Sequence, residues 1–281
     1  GNIQVTRVFA DSPAFKAGVM IGDEIVSADG ESLLGKTVDY GATKMRGPKG
    51  TTVTIEVRRD GETHSIDVVR DEVKQLYVES KMLDGSVGYI HLYEFNDGTG
   101  DDFVKLLGEL KSNGMKGLIL DLRQNPGGNV DDALKIADAM LPKCDIIYTL
   151  DKNENKRVST SDANTIDVPL VVLVDENSAS ASEIVSGSLQ DNKAATLVGT
   201  KTFGKGIIQI LMPMTDGSLY KYTFQEYYVP SGTKIHGVGI TPDVVVEQDK
   251  TYEKYLVEMI PEGKDVQLNK ALEIMKEKLG Q

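Results

Sequence analysis

The stretch VPLVVLVDENSASASEIVSGSLQD, residues 168–191, moves from an apolar run through a polar turn into a helical pattern. Residues 168–175 are short, continuous and rich in valine, the composition of a strand buried on both faces. A helix is expected to start near Ala181, after a turn that carries serine at every second position, Ser178, Ser180 and Ser182. The run GLILDL, residues 117–122, is of the same buried type, and DDALKIADAMLP after it reads as helix. Upstream, SVGYIHLYEF reads as a strand, and GDDFVKLLGELKSNG has apolar residues at helical spacing with Gly114 past its end. Strands alternating with helices predict an α/β core, a mixed sheet with crossover helices.

Residues 1 to about 72 follow another pattern. VTIEVRRDGETHSIDVV, residues 53–69, reads as a hairpin around Asp60-Gly61. In DSPAFKAGVMIGDEIVSADG, Ser12-Pro13 opens a short helix, Gly18 ends it and Gly22-Asp23 turns into a strand. A break at RDEVKQ, residues 70–75, separates this β-rich module, 1–72, from the core, 73–281. The tail DVQLNKALEIMKEKLG is an amphipathic helix whose pattern suits packing.

The net charge of -12 argues against nucleic acid or an anionic membrane surface as partner, since both need clustered cations. The single cysteine, Cys144, forms no internal disulfide and leaves the compartment open. No run of about 18 apolar residues occurs, and GNIQVTRVFA is no secretory leader, so neither an anchor nor a signal is expected here. No cofactor or metal is expected, because no ligand set of His, Cys and carboxylates is visible.

Ser180 falls at a helix N-terminus, where free N–H groups and the dipole favour a developing anion. Ser180 and Glu183 also spell a capping box, so a purely structural serine fits as well. The three histidines are His64 in a hairpin strand, His91 in a strand and His236 in a glycine-rich loop, none with an acid partner at telling spacing. The alternative base is a neutral lysine, a known variant of the triad, and Lys205 lies between Gly204 and Gly206 in ATLVGTKTFGKGIIQI. A solvated lysine in a glycine turn is the plain alternative. Ala181 directly follows Ser180, so its amide is one candidate oxyanion donor, and Gly127 and Gly128 lie between a buried strand and a helix.

Taken together, SASASEIVSGSLQDNKAATLVGTKTFGKGIIQ, LILDLRQNPGGNVDDALKIADAML and SPAFKAGVMIGDEIVSADG resemble the carboxyl-terminal processing proteases, serine peptidases that carry a PDZ domain. The resemblance implies a PDZ-like domain over 1–72 and a peptidase core over 73–281. It implies Ser180 as nucleophile, Lys205 as general base and Gln209 as the residue orienting the lysine, with Gly127 or Gly128 joining Ala181 in the oxyanion hole. Four residues along a strand would put Lys205 and Gln209 on one face. Asp191 matches a position implicated in some members, and Arg46 is a candidate for contact with substrate or core; a helix-ending polar residue and a solvated loop arginine are the plain readings of those two. It further implies protein or peptide substrates taken by their C-terminal tails, an extracytoplasmic setting in a bacterium, and leaves a homo-oligomer open. The match begins at IQVTRV, after the point where the family's glycine-rich loop and strand that receive a peptide carboxylate would come, so either the sequence is trimmed there or the groove is incomplete. Two further classes stay open: a non-catalytic peptide-binding scaffold, and a crotonase-like acyl-CoA enzyme sharing a glycine-built oxyanion hole. On the nucleophile reading, Ser178→Ala and Ser182→Ala are expected to leave folding intact.

Overall fold

The computed structural model describes residues 2–9, 12–73, 76–83, 86–162, 164–252 and 255–281. It divides into two compact units, Gly1–Leu76 and Tyr77–Gln281. Lys74 and Gln75 of the expected break, and Asp11 before the first helix, lie outside the described residues.

The first unit runs β1 (Ile3–Gln4), α1 (Pro13–Lys16), β2 (Glu24–Ala28), β3 (Glu31–Ser32), α2 (Val38–Met45), β4 (Thr52–Arg59) and β5 (Glu62–Val69). Its sheet has the order β1-β2-β4-β5 with β3 on β2. Asp60 and Gly61 both take positive φ, 51° and 86°, the two-residue turn that matches strand twist. The Ser12 hydroxyl accepts from the Phe15 N–H at 3.1 Å and caps α1, with Pro13 in the first turn. Ile3, Ile25, Leu33, Val53, Ile55 and Val57 fill the core. Beside it, Arg59 donates to both oxygens of buried Asp23, from Nε and Nη2 at 2.7 Å each.

The second unit is built on β6 (Val78–Leu83), β7 (Val87–Leu92), α3 (Thr99–Ser112), β8 (Gly117–Asp121), α4 (Val130–Asp138), β9 (Asp145–Leu150) and β10 (Lys156–Thr160). It continues through β11 (Leu170–Val174), α5 (Ala181–Asp191), β12 (Ala195–Gly199), β13 (Ile207–Pro213), β14 (Leu219–Tyr228), β15 (Val244–Val245) and α6 (Val266–Leu279). A six-stranded sheet has the order β15-β12-β11-β8-β7-β6, parallel but for β6, so the sheet is mixed. A second sheet, β10-β9-β14-β13, is antiparallel.

Both expected runs are buried on two faces. Leu118, Leu120, Val172 and Val174 join residues of α3, α4 and α5 in one core, and Ile119, Val171 and Leu173 join Ala271, Ile274 and Met275 of α6 in another. Each such side chain contributes about 1.5–3 kcal/mol when fully buried. The tail helix is therefore a cover for the second face. It is fastened by a charge network that the apolar runs conceal: fully buried Arg123 donates to Asp121 at 2.6 Å and to Asp265 at 2.8 and 2.9 Å, and Asp265 caps α6 by accepting from Leu268 N–H. Parallel pairing of β8 with β11 brings the loops after both strands to one edge, the place where open α/β sheets bind their ligands.

Candidate active site

The three alternating serines have different fates. Ser178 is fully buried; its hydroxyl donates to the Leu122 carbonyl at 2.8 Å and accepts from the Asp175 N–H at 2.9 Å. Ser182 is fully buried and donates to the Asn125 carbonyl at 2.9 Å. These two knit the loop after β11 to the loop after β8. Only Ser180 is half-exposed, and its φ of 56° with ψ of -113° lies outside the favoured regions for a residue bearing a Cβ. Such a conformation costs on the order of 1–3 kcal/mol and persists where its surroundings over-determine it. Asp175 shapes the preceding turn by accepting from the N–H groups of Gln124, Asn177 and Ser178. Burial pushes its carboxyl above the ordinary range despite those bonds.

Glu183 forms its half of the capping box and does more besides. Its fully buried carboxylate accepts from Ser180 N–H at 2.9 Å and Lys205 N–H at 2.8 Å on one oxygen, Oε2. Oε1 accepts from Gly204 N–H at 2.7 Å and the Thr202 hydroxyl at 2.6 Å. The backbone nitrogens of Ser180 and Lys205 therefore meet across a single atom, though twenty-five residues separate them in the chain. A buried carboxylate is stabilised by such donors, and nothing in the capping-box pattern signals the second pair.

Gly127 closes the site from the β8 side. A Cβ there would lie 2.5 Å from Ala179 O and 2.8 Å from Ala181 N, and its φ of 96° excludes most other residues. Its N–H is committed to Asn125 Oδ1 at 2.9 Å. The Gly128 N–H has no acceptor among the described residues, and Ala181, first in α5, has an N–H with no partner inside the helix. Asn125, wholly buried, holds the loop in place by donating from Nδ2 to the Leu92 carbonyl at 2.6 Å; sequence reading passed over it.

The other candidates lie less close. Lys205 is half-buried in the turn before β13. The shared-face argument for Lys205 and Gln209 does not apply, because the strand starts at Ile207 and its register against β14 shifts between Ile208 and Gln209; the Gln209 side chain is exposed. Asp191 ends α5, eleven residues beyond Ser180, and accepts from Ser231 N–H at 2.6 Å, the plain structural role. Arg46 is exposed at the C-terminus of α2 in the first unit. Among the histidines, His64 pairs across the β4–β5 hairpin, His91 is buried against the Tyr93 ring, and His236 packs its backbone on Gly206. The His236 Nδ1 is buried without a hydrogen-bond partner among the described residues. No group of His, Cys and carboxylates suited to a metal occurs among the described residues.

A half-exposed serine in a strained turn at the carboxyl edge of a mostly parallel sheet, with Gly127 packed against it, lies in an α/β unit that follows a β-rich module. The chain belongs to peptidase family S41, whose model matches residues 86–246, and a PDZ domain model matches residues 1–69. It is 41% identical over 256 residues to a carboxy-terminal-processing protease of Bartonella bacilliformis, covering 88% of this chain and 58% of that protein. It is 39% identical over 253 residues to a carboxyl-terminal-processing protease of Synechocystis, covering 88% and 59%. The chain thus spans little more than half the length of these relatives. A photosystem II D1 C-terminal processing protease is similar in structure, with TM-score 0.57, 30% identity, and 88% of this chain and 68% of that one covered. An S41 protein of Bacteroides fragilis, 20% identical, shares the fold over 98% of this chain and 79% of its own, with TM-score 0.67. No helix among the described residues is long and apolar enough to cross a membrane.

Proposed function

We propose that this chain is a serine endopeptidase that hydrolyses protein substrates through an acyl-enzyme, with Ser180 as nucleophile and Lys205 as base. The observation that carries the reading is the shared oxygen of Glu183, which joins the Ser180 and Lys205 backbones. Neutral Lys205 takes the Ser180 proton as Oγ attacks the scissile carbonyl, and returns it to the leaving amine as the tetrahedral intermediate collapses. Water then attacks the acyl-enzyme by the same proton route. The Ala181 and Gly128 N–H groups are the oxyanion donors, since the Gly127 N–H is already taken. Gln209, four residues past Lys205, orients the lysine when substrate is bound. The PDZ unit delivers substrate tails, a role consistent with the names of the relatives.

The test is cleavage of an unfolded protein substrate by wild type, Ser180→Ala, Lys205→Ala and Lys205→Arg. Wild-type turnover that is lost in all three variants supports the reading. Arginine keeps the charge and cannot serve as base at accessible pH. No cleavage by wild type favours a binding scaffold, while saturable thioester turnover favours the acyl-CoA class. Because His236 packs on Gly206, it is the second candidate base. An alkaline-rising kcat/KM that disappears in His236→Ala and survives in Lys205→Ala transfers the role to it.

A further inference from the structure

Tyr227 reaches the same two residues from the opposite side. It lies near the end of β14, is 1% exposed, and pairs with Thr149 of β9. Its hydroxyl is 2.9 Å from the Ser180 carbonyl oxygen and 2.7 Å from that of Lys205, and its backbone N–H donates to the Gly206 carbonyl at 3.1 Å. A phenol has one proton, so the two carbonyls share it. Glu183 holds the N–H of Ser180 and of Lys205, and Tyr227 holds the C=O of both. The peptide groups on either side of each residue are fixed by the same two side chains. The Ser180 carbonyl also accepts from the Glu183 and Ile184 N–H groups at 2.8 and 3.0 Å, so Tyr227 adds a further donor at a residue whose backbone is strained, and ties that donor to Lys205.

We infer that Tyr227 is a positioning residue, its shared hydroxyl proton setting the distance and angle between nucleophile and base. The inference rests on the Ser180 and Lys205 assignment above. It joins the antiparallel sheet, which carries Lys205, to the parallel sheet, which carries Ser180, at one atom. Burial, with the nearby Glu183 charge, pushes the phenol well above its ordinary value of 10.0. It therefore remains a donor past the pH at which an ordinary phenol loses its proton.

The experiment compares Tyr227→Phe with a Tyr227 replaced by p-aminophenylalanine, which restores a donor at the same place. Kinetics on a protein substrate are read beside melting temperature and labelling of Ser180 by a fluorophosphonate. Tyr227→Phe is expected to lose about 10–100-fold in kcat, with KM within about twofold and labelling slowed in parallel, because a displacement near 1 Å is worth that much. The amino analogue is expected to recover most of the loss. Wild-type kcat in a folded Tyr227→Phe overturns the inference, as does an amino analogue no better than phenylalanine; the latter comparison holds even where the Phe variant folds poorly. Ser180→Ala and Lys205→Ala run alongside. Activity surviving in Lys205→Ala overturns the base assignment and this inference with it. Dead Lys205→Ala with fully active Tyr227→Phe overturns the inference alone.

Discussion

Ser180, the proposed nucleophile, pairs a strained backbone with a half-exposed hydroxyl. Neighbouring Ser178 and Ser182 have the same side chain, yet each is buried and hydrogen-bonded to the loop after β8. Intact folding of their alanine variants, as expected from the sequence, would therefore come with a stability cost. Ser178→Ala should cost about 1–3 kcal/mol, since the Asp175 N–H loses its acceptor, and Ser182→Ala less, since the Asn125 carbonyl still accepts from the Ala179 N–H; denaturant unfolding would show both. Both should retain measurable turnover, whereas Ser180→Ala folds normally and is inactive. Gly127 is as constrained: a methyl there meets backbone atoms of Ala179 and Ala181, which cannot yield without moving Ser180. Gly127→Ala should lower kcat/KM by about a hundredfold or more while the protein remains folded by circular dichroism.

At the scale of elements, the strand–turn–helix units were legible because both β8 and β11 are continuous apolar runs followed by a helical period. The antiparallel sheet β10-β9-β14-β13 was not. Strands β13 and β14 carry exposed apolar side chains, among them Leu211, Met212, Leu219 and Phe224, so no clean alternation marks an inward face. The charge network beneath α6 was hidden too, because Asp121 and Arg123 sit in what reads as a strand end and Asp265 is 142 residues from Arg123. Loss of Asp265 leaves Arg123 paired with Asp121 but removes two charge-assisted bonds from its buried guanidinium, at about 1–3 kcal/mol. Asp265→Ala should therefore lower the melting temperature of the second unit markedly, with calorimetry as the check, because it also removes the cap of α6.

Over the whole molecule, two units with separate cores predict two calorimetric transitions with their own acid sensitivities. Burial raises the Asp23 and Asp121 carboxyls, but bonds and charge from Arg59 and Arg123 outweigh it and hold both below the ordinary 3.8. The unfolded chain then binds protons more readily than the folded one. Stability from each pair is present above about 3.8 and is lost as pH falls through the lowered folded values. Asp175 acts oppositely: its raised value means that acidification first relieves its burial, down to the ordinary range. Melting temperature should fall steeply below about pH 4 in both transitions. Asp23→Asn should flatten the fall in the first only, and Asp121→Asn in the second only; a variant that flattens both curves contradicts the assignment.

The amino-acid sequence alone determined the alternation of strands and helices, the serine-bearing turn at the head of α5, and the glycine turn around Lys205. These follow from local periodicity and turn chemistry, which depend on residues a few positions apart. Only the tertiary structure decided which serine is reachable, which of Gly127 and Gly128 has a free N–H, and that Glu183 and Tyr227 grip Ser180 and Lys205 from two sides. The physical reason is that a buried polar group must find a partner somewhere. Sheet order, fixed by burial of apolar faces across the whole chain, chooses which distant residue that partner will be.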